Sequence, residues 1–472
     1  MNTRTRIAWT SGVVALALAV TGTAVALRHQ DASDAQPGAP KRTPLLVVGT
    51  SDVADSYLMH DVIEPGFERA YPEYDLQYTG SATGAAIASA KTGSAAALIV
   101  HAMSLENQFV ADGYSAEPAG RAIFWGDYVL AGPKDDPAGV LDGGTHDIVT
   151  AFEKIARAGA EGKATFVSRG GNPGTTVQEH ALWAEAAAST TTLCTVAATN
   201  GGGKSPYSSA GTCPSTIGAK GADTGDHGFP AWYRTTGLTQ AANITAADAC
   251  NFTGAPHNSC YVFTDRGTLQ HQQETGAVST LTLLTRDNDT SARGGHAALV
   301  NTFHAYVINP KAPGFAAIKA DNLKTNVAGA TALLDWITSA AGQRAIGAYQ
   351  PEDPAFEPSA SPKVTVHAPT AAEPHEAITI SGSLTNVVPG MPALAGVTVR
   401  LEGGDTAFSA TTDAEGAFAF HVSAPELGEI TYRLVTDQIT QTEDDALEPA
   451  FRDLLSATTT KVGPITVTSS PS

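Results

Sequence analysis

The chain has 472 residues, 42% of them apolar, with 46 Gly, 27 Pro and a formal net charge of −19. That length exceeds what one core supports and predicts two or three domains. The negative balance argues against nucleic acid, since nothing could neutralise a phosphate backbone, and it repels anions at long range, so any anion site must work through local donors.

At the N-terminus, Arg4 and Arg6 precede an uncharged stretch over 7–27 with a compact apolar run at 13–20 and small residues at 24–26. This is the pattern of a signal peptide over 1–27, with an uncleaved membrane anchor as the alternative. Export to the extracellular space or cell surface is expected, and no Cys near the cleavage region could carry a lipid. The cysteines agree with an oxidising compartment. The closest pairing is Cys194–Cys213 and Cys250–Cys260, although four cysteines allow three connectivities. No CxxC spacing occurs and the histidines are scattered, so neither a metal site nor a cofactor is expected.

Residues 28–43 read as a polar linker. A strand is predicted at 45–48, then a turn at 49–52 that opens a helix to about 69. Further strands at 75–78, 97–100 and 125–131 alternate with helices such as 147–157. This alternation predicts an α/β fold with mainly parallel sheets, in which ligands collect beyond the carboxyl ends of the strands. Residues 188–228 are rich in Thr, Ser and Gly and read as a surface insertion. Regular α/β signal resumes through 305–308 and a helix over 330–346. After a Pro-, Glu- and Ser-rich linker at 351–362, apolar residues alternate at Ile378/Ile380, Val397/Val399/Leu401, Phe418/Phe420/Val422 and Ile430/Tyr432/Leu434. Short alternating strands predict an antiparallel β-sandwich over 363–470, which resembles the Ig-like or carboxypeptidase-regulatory-like modules of secreted proteins.

Two strand-to-helix loops could carry chemistry. The first holds Thr50, Ser51 and Asp52; the second, over 168–176, holds Arg169, three glycines, Asn172, Thr175 and Thr176. Helix starts present unpaired N–H groups and a positive dipole end to anions. Hydroxyls add donors, and the Arg fork suits an oxyanion. A capped helix is the plainer account of the first loop taken alone. No GxSxG elbow, HExxH or P-loop occurs, so no catalytic residue and no enzymatic activity are expected.

Several stretches in order resemble a known family. These are Val100-His101-Ala102 with 109–114, Asp127-Tyr128-Val129 with 132–137, 166–170 with Gly174-Thr175, Thr264-Asp265-Arg266-Gly267-Thr268, and Asp335-Trp336-Ile337 with Gly342-Gln343. Across 44–350 the chain is similar to the tungstate-binding proteins of ABC importers, within the type II periplasmic-binding class. The resemblance implies a two-lobed clamp, lobe I at about 44–130 and 308–350 and lobe II at about 131–307, with chain crossings near Leu130 and Val307. It implies a tungstate- or molybdate-type oxyanion between the lobes and an ABC permease as membrane partner. Carried over by position, the ligand set is Thr50, Ser51, Thr83, Arg169, Gly174 and Thr175, with Thr176 beside them. Asp52, Asn172 and Asp127 are further candidates.

Two departures bear on the ligand. Asp52 adds a carboxylate to the first loop, which would repel an unprotonated dianion but could accept a hydrogen bond from a protonated phosphate; the expectation is that it caps the helix and points away. Pro173 stands where the family has Ser, removing donors. Phosphate binding, or a surface interaction or sensing role without transport, are the alternatives. The pair Asp265–Arg266 is expected to be structural.

Overall fold

A computed structural model describes residues 42–469, apart from 145, 172, 189–192, 199–203, 209–215, 218–229, 404–405 and 444–450. The signal segment at 1–27, most of the linker at 28–43, Asn172, the pairing Cys194–Cys213 and most of the insertion at 188–228 lie outside the described residues.

Apolar β1 (Thr43–Thr50) runs directly into α1 (Ser51–Asp55), followed by a π-helical turn at Met59–Ile63 and α2 (Glu64–Ala70). The single helix expected from 52 to 69 is interrupted because Tyr57 adopts a left-handed φ of 65°, which breaks the i→i−4 ladder. Next come β2 (Tyr74–Ser81), α3 (Thr83–Ala90), β3 (Ala97–Val100) and α4 (Met103–Ala111). The long β4 (Gly120–Pro133) then leads to α5 (Ile148–Ala160), β5 (Thr165–Ser168) and α6 (Gly174–Ala188).

Three strands, β6 (Leu193–Ala198), β7 (Lys204–Ser208) and β8 (Thr216–Ile217), form a small separate sheet. The chain returns through β9 (Tyr233–Thr235), α7 (Gln240–Ala249), β10 (Cys260–Asp265), α8 (Arg266–Glu274) and β11 (Leu281–Thr285). Cys250 and Cys260 are bonded, with Cα atoms 5.6 Å apart. Then follow β12 (Val300–Val307), α9 (Val327–Thr338) and α10 (Ala340–Gly347). The helix expected over 330–346 divides at Ser339, which is extended and accepts the Gly342 N–H at 3.1 Å as N-cap.

One sheet carries both lobes, in the order β2-β1-β3-β12-β4-β10-β5-β9. Within it β1, β2 and β3 are parallel, as are β10, β5 and β9. β4 is the crossing: its first half pairs with β12 as far as Asp127, its second half with β10 from Tyr128. Because β12 pairs with the first half of β4 from Val300 and with β3 from His304, the return to lobe I falls at the start of β12, ahead of the Val307 that the resemblance implies. The apolar run at 305–308 is that strand's end. The buried cores divide in the same way. One pair of clusters draws on Leu45 to Phe124 and Phe303 to Phe356, another on Tyr128 to Leu299.

The C-terminal part is a β-sandwich of two sheets. β14 (Lys363–His367), β16 (Ala377–Thr385) and β19 (Ala417–Ser423) form one. The other is ordered β15 (Ala371–Ala372), β23 (Thr458–Val467), β20 (Gly428–Thr436), β17 (Thr398–Gly403) and β18 (Thr406–Thr411), antiparallel except between β15 and β23. The alternating residues named above fill its core, Ile380, Val399, Leu401, Phe420 and Leu434 among them.

Two features depart from the expected tethered module. The 351–362 segment is not a free linker: Phe356 is buried against Phe124 and Phe303, and β13 (Glu357–Pro358) pairs with β4. A polar composition masked this two-residue apolar anchor, Ala355-Phe356. The sandwich also extends a hairpin, β21 (Ile439–Glu443) and β22 (Phe451–Leu455), whose second strand joins β4 in parallel at Gly120 and Arg121. There Asp453 is fully buried, 3.6 Å from His304, which lies 3.1 Å from Glu106. Among the described residues no helix is long and apolar enough to cross a membrane.

Candidate functional site

The carboxyl ends of parallel strands from both lobes converge on one buried polar group, as the α/β rule anticipates. β1 ends at Thr50, which caps α1 by accepting the Asp52 N–H at 3.4 Å. Its hydroxyl is also 3.0 Å from Nε2 of His101, the residue just after β3. From lobe II, Arg169 follows β5 and donates from Nη1 to Ser51 Oγ at 3.0 Å and to Gln240 Oε1 at 3.3 Å, while its Nε donates to the Leu238 carbonyl at 3.0 Å. Gln240 in turn donates to Thr264 at the end of β10. The lobes meet again where Asp55 accepts the Ala241 N–H at 3.1 Å, in the first turn of α7.

Asp52 does not point away. It is wholly buried, and its carboxylate lies 2.6 Å from His101 Nε2. The cap that sequence assigns to it is supplied by Thr50 instead, leaving the Asp52 side chain to turn inward. Burial pushes this carboxyl up, but His101, Arg169 and the Thr50 hydroxyl together hold it below the usual carboxylate range. Asp55 is pushed up to about 6, chiefly by burial and further by Asp52, against the Ala241 amide and Arg169. Asp265, the N-cap of α8, is driven well above its ordinary value by burial and by the negative charge of Asp52. Arg169 thus carries the fixed positive charge of a group rich in carboxyls; burial lowers its pKa while Asp52, Asp55 and Asp265 oppose that.

The second loop behaves as a built turn. Gly170 and Gly171 take positive φ of 69° and 73°, which residues with a Cβ adopt at a cost, and Thr176 Oγ1 donates to the Gly170 carbonyl at 3.3 Å. Gly174 opens α6 hard against His101: a Cβ there would overlap the His101 carbonyl and ring. Thr175 is buried beside it, its hydroxyl without a hydrogen-bond partner among the described residues. Thr83, first residue of α3, donates to the His101 carbonyl at 3.4 Å.

Of the residues singled out from sequence, Thr50, Ser51, Asp52 and Arg169 form one group. Thr83 and Gly174 join it through His101, and Thr175 lies beside Gly174. Asp127 does not belong to it. It faces the other side of β4 and pairs with Arg266, Nε to both carboxylate oxygens at 2.7 and 2.8 Å. The expected Asp265–Arg266 pair is replaced by this one, because Asp265 caps its helix and Arg266 turns to Asp127 and the carbonyls of Asp353 and Pro354. Tyr128, the next residue on β4, faces the site, its hydroxyl 2.9 Å from His101 Nδ1. Sequence reading passed over His101 for want of metal-ligand spacing; its place directly after a parallel strand was the usable signal. Gln240 and Asp55 gave no such signal.

Behind Arg169, Ser168 donates to Glu179 at 2.6 Å, and Tyr233 donates to the other Glu179 oxygen at 2.6 Å. Burial raises this carboxyl to about 7, the two hydroxyls and Trp183 opposing. In the unfolded chain it ionises near 4.3, so stability falls as pH rises from about 4 to 7: the unfolded state releases a proton the folded state keeps. The loss amounts to about 4 kcal/mol. Glu179→Gln is expected to flatten this dependence and to equal or exceed the wild type at pH 8. Urea unfolding at pH 5 and pH 8 checks this, and a variant less stable at both values contradicts it.

Two lobes joined by strand crossings, with strand ends and helix starts meeting between them, define the periplasmic-binding class of proteins. The sequence profile of the PBP superfamily domain matches residues 34–341, and the chain belongs to that superfamily. A Haloferax volcanii protein provisionally named an ABC transporter anion-binding protein is 28% identical over 312 residues, 65% of this chain and 68% of that one. The tungstate-binding protein TupA of Peptoclostridium acidaminophilum is 33% identical over 175 residues, covering 37% of this chain and only 57% of TupA. Among solved structures, the tungstate ABC transporter protein of Geobacter sulfurreducens aligns over 64% of this chain and 97% of its own, at 26% identity and TM-score 0.44. TupA of Desulfovibrio alaskensis aligns over 67% and 98%, at 24% identity and TM-score 0.44.

Proposed function

We propose that this protein is an extracytoplasmic solute-binding protein that captures a tetrahedral oxyanion between its lobes and delivers it to an ABC permease. The observation that carries the reading is the Arg169–Ser51 bond: a lobe II guanidinium meets a lobe I hydroxyl across the cleft at 3.0 Å. An ion held by both groups contacts both lobes and so favours the closed state. Thr50, Thr83, Gly174, Thr175 and Thr176 complete the proposed ligand set. The names of the two sequence relatives, an anion-binding and a tungstate-binding protein, point to an oxyanion such as tungstate, and molybdate is a dianion of the same shape. Export accords with those names and with the N-terminal sequence.

Asp52 favours a second reading for the ion. A buried carboxylate held below its usual range repels an unprotonated dianion, whereas hydrogen phosphate can donate its proton to that group. A thermal-shift series with tungstate, molybdate, phosphate and sulfate on the protein separates the two. A rise with tungstate and molybdate supports the first, a rise with phosphate alone the second. No rise with any of the four contradicts the function.

A further inference from the structure

Asp55 closes a ring of contacts around the Ser51–Arg169 position. It lies one helical turn after Ser51, so the two side chains share a face of α1. Across the cleft they meet consecutive residues of lobe II. Arg169 Nη1 donates to both Ser51 Oγ and Gln240 Oε1, and Asp55 Oδ2 accepts the Ala241 N–H at 3.1 Å. Ala241 stands in the first turn of α7, whose N-cap is Thr239, so a negative charge is favoured there. Asp55 Oδ1 bonds to no group among the described residues. The titratable groups that act on Asp55 are mostly acidic: Asp52 on its own helix, Tyr78 on β2 and Asp265 at the start of α8, with Arg169 the cation that reaches it. His101 is bonded to Asp52 and is charged only when protonated. An unprotonated dianion at Ser51 and Arg169 adds two negative charges to this group, and each carboxylate left ionised repels it. Burial already raises Asp55 to about 6, and a neighbouring dianion raises it further.

We propose that Asp55 takes a proton from solvent as the oxyanion is captured and donates it from Oδ1 to the ion, while Oδ2 keeps the Ala241 amide. Anion and proton are then bound together, and Asp55 in its acid form is a ligand of the ion. This rests on the oxyanion reading. A carboxylic acid offers one O–H donor and keeps an acceptor oxygen, so one lobe I side chain holds the lobe II helix and the ion at once. The ionised carboxylate can do only the first. Because the bound state holds the extra proton, affinity for an unprotonated ion falls as pH rises, by about tenfold per pH unit for one proton taken up.

Isothermal titration of the full chain with tungstate at pH 7.5, once in MOPS and once in Tris, counts the protons, because the two buffers release them with different heats. About one proton per ion is expected, with affinity falling about tenfold per unit between pH 7 and 8.5. Asp55→Asn, whose amide can donate to the ion and accept from Ala241, should take up no proton and bind with an affinity independent of pH. At pH 8.5 it should bind tungstate more tightly than the wild type does. Asp55→Ala should also lose the uptake and bind more weakly than Asp55→Asn. Asp52→Asn should keep the uptake, which places the proton on Asp55 and not on its neighbour. Tungstate binding by the wild type with no proton taken up overturns the proposal, as does full uptake in either Asp55 variant; in both cases the oxyanion reading stands. If tungstate does not bind at all, the proposal falls, and the oxyanion reading falls with it only if phosphate fails to bind as well.

Discussion

Replacing Arg169 with alanine is expected to abolish the anion-induced rise in melting temperature and to lower the melting temperature of the anion-free protein. The first effect follows from position: among the described residues Arg169 alone spans from lobe II to Ser51, and it supplies the fixed positive charge of the group. The second follows from what it leaves behind. Asp52 and Asp55 would remain buried without the favourable charge of Arg169, and Gln240 Oε1 and the Leu238 carbonyl would lose its hydrogen bonds; a buried polar group left unsatisfied costs about 1–3 kcal/mol. Arg169→Lys keeps charge without the planar fork, so it should recover much of the stability and little of the anion response. Differential scanning calorimetry with and without anion reads both. An unchanged anion shift in Arg169→Ala would move the site elsewhere in the molecule.

Asp52→Asn should have an effect of opposite sign on unprotonated anions. Tungstate has no proton to offer, so removing the facing carboxylate should tighten its binding at least about tenfold, or about 1.4 kcal/mol. Hydrogen phosphate loses an acceptor and should bind more weakly. The pH profile of stability provides an independent check. Asp52 is held below its ordinary value in the folded state, so the unfolded chain binds its proton more tightly. Its contribution is therefore present above about pH 4, the unfolded value, and is lost as pH falls through the folded one. Asp52→Asn removes that part of acid denaturation. Titration calorimetry at pH 7.5 decides the binding claim, and equal tungstate affinity in variant and wild type would show that Asp52 does not face the ion.

These expectations depend on features of unequal visibility in the sequence. The alternating α/β pattern and the hydroxyl-rich and Arg-Gly loops were local signals, so the α/β class and the candidates Thr50, Ser51 and Arg169 could be named in advance, whereas the two lobes were implied by the family resemblance. The direction of Asp52 could not. Any of Thr50, Ser51 or Asp52 suits an N-cap, and only the packed structure shows Thr50 taking it and Asp52 turning to His101. His101 itself reaches the site by the register of β3 against β1, a non-local property. Asp127 and Tyr128 illustrate the two-residue period of a strand: adjacent in sequence, they face opposite sides of β4, so a motif containing both cannot place both in one site. The docking of the C-terminal part was hidden for a similar reason. Phe356 is a lone aromatic in a polar segment, and the β21–β22 hairpin finds its partner in β4, over three hundred residues away.

Crystals of the protein soaked in tungstate and measured at the tungsten absorption edge would test the capture of an oxyanion between the lobes most directly. One strong anomalous peak is expected within hydrogen-bond reach of both Ser51 Oγ and the Arg169 guanidinium. Peaks confined to the outer surface, or to one lobe with Arg169 still bonded to Ser51, would contradict it.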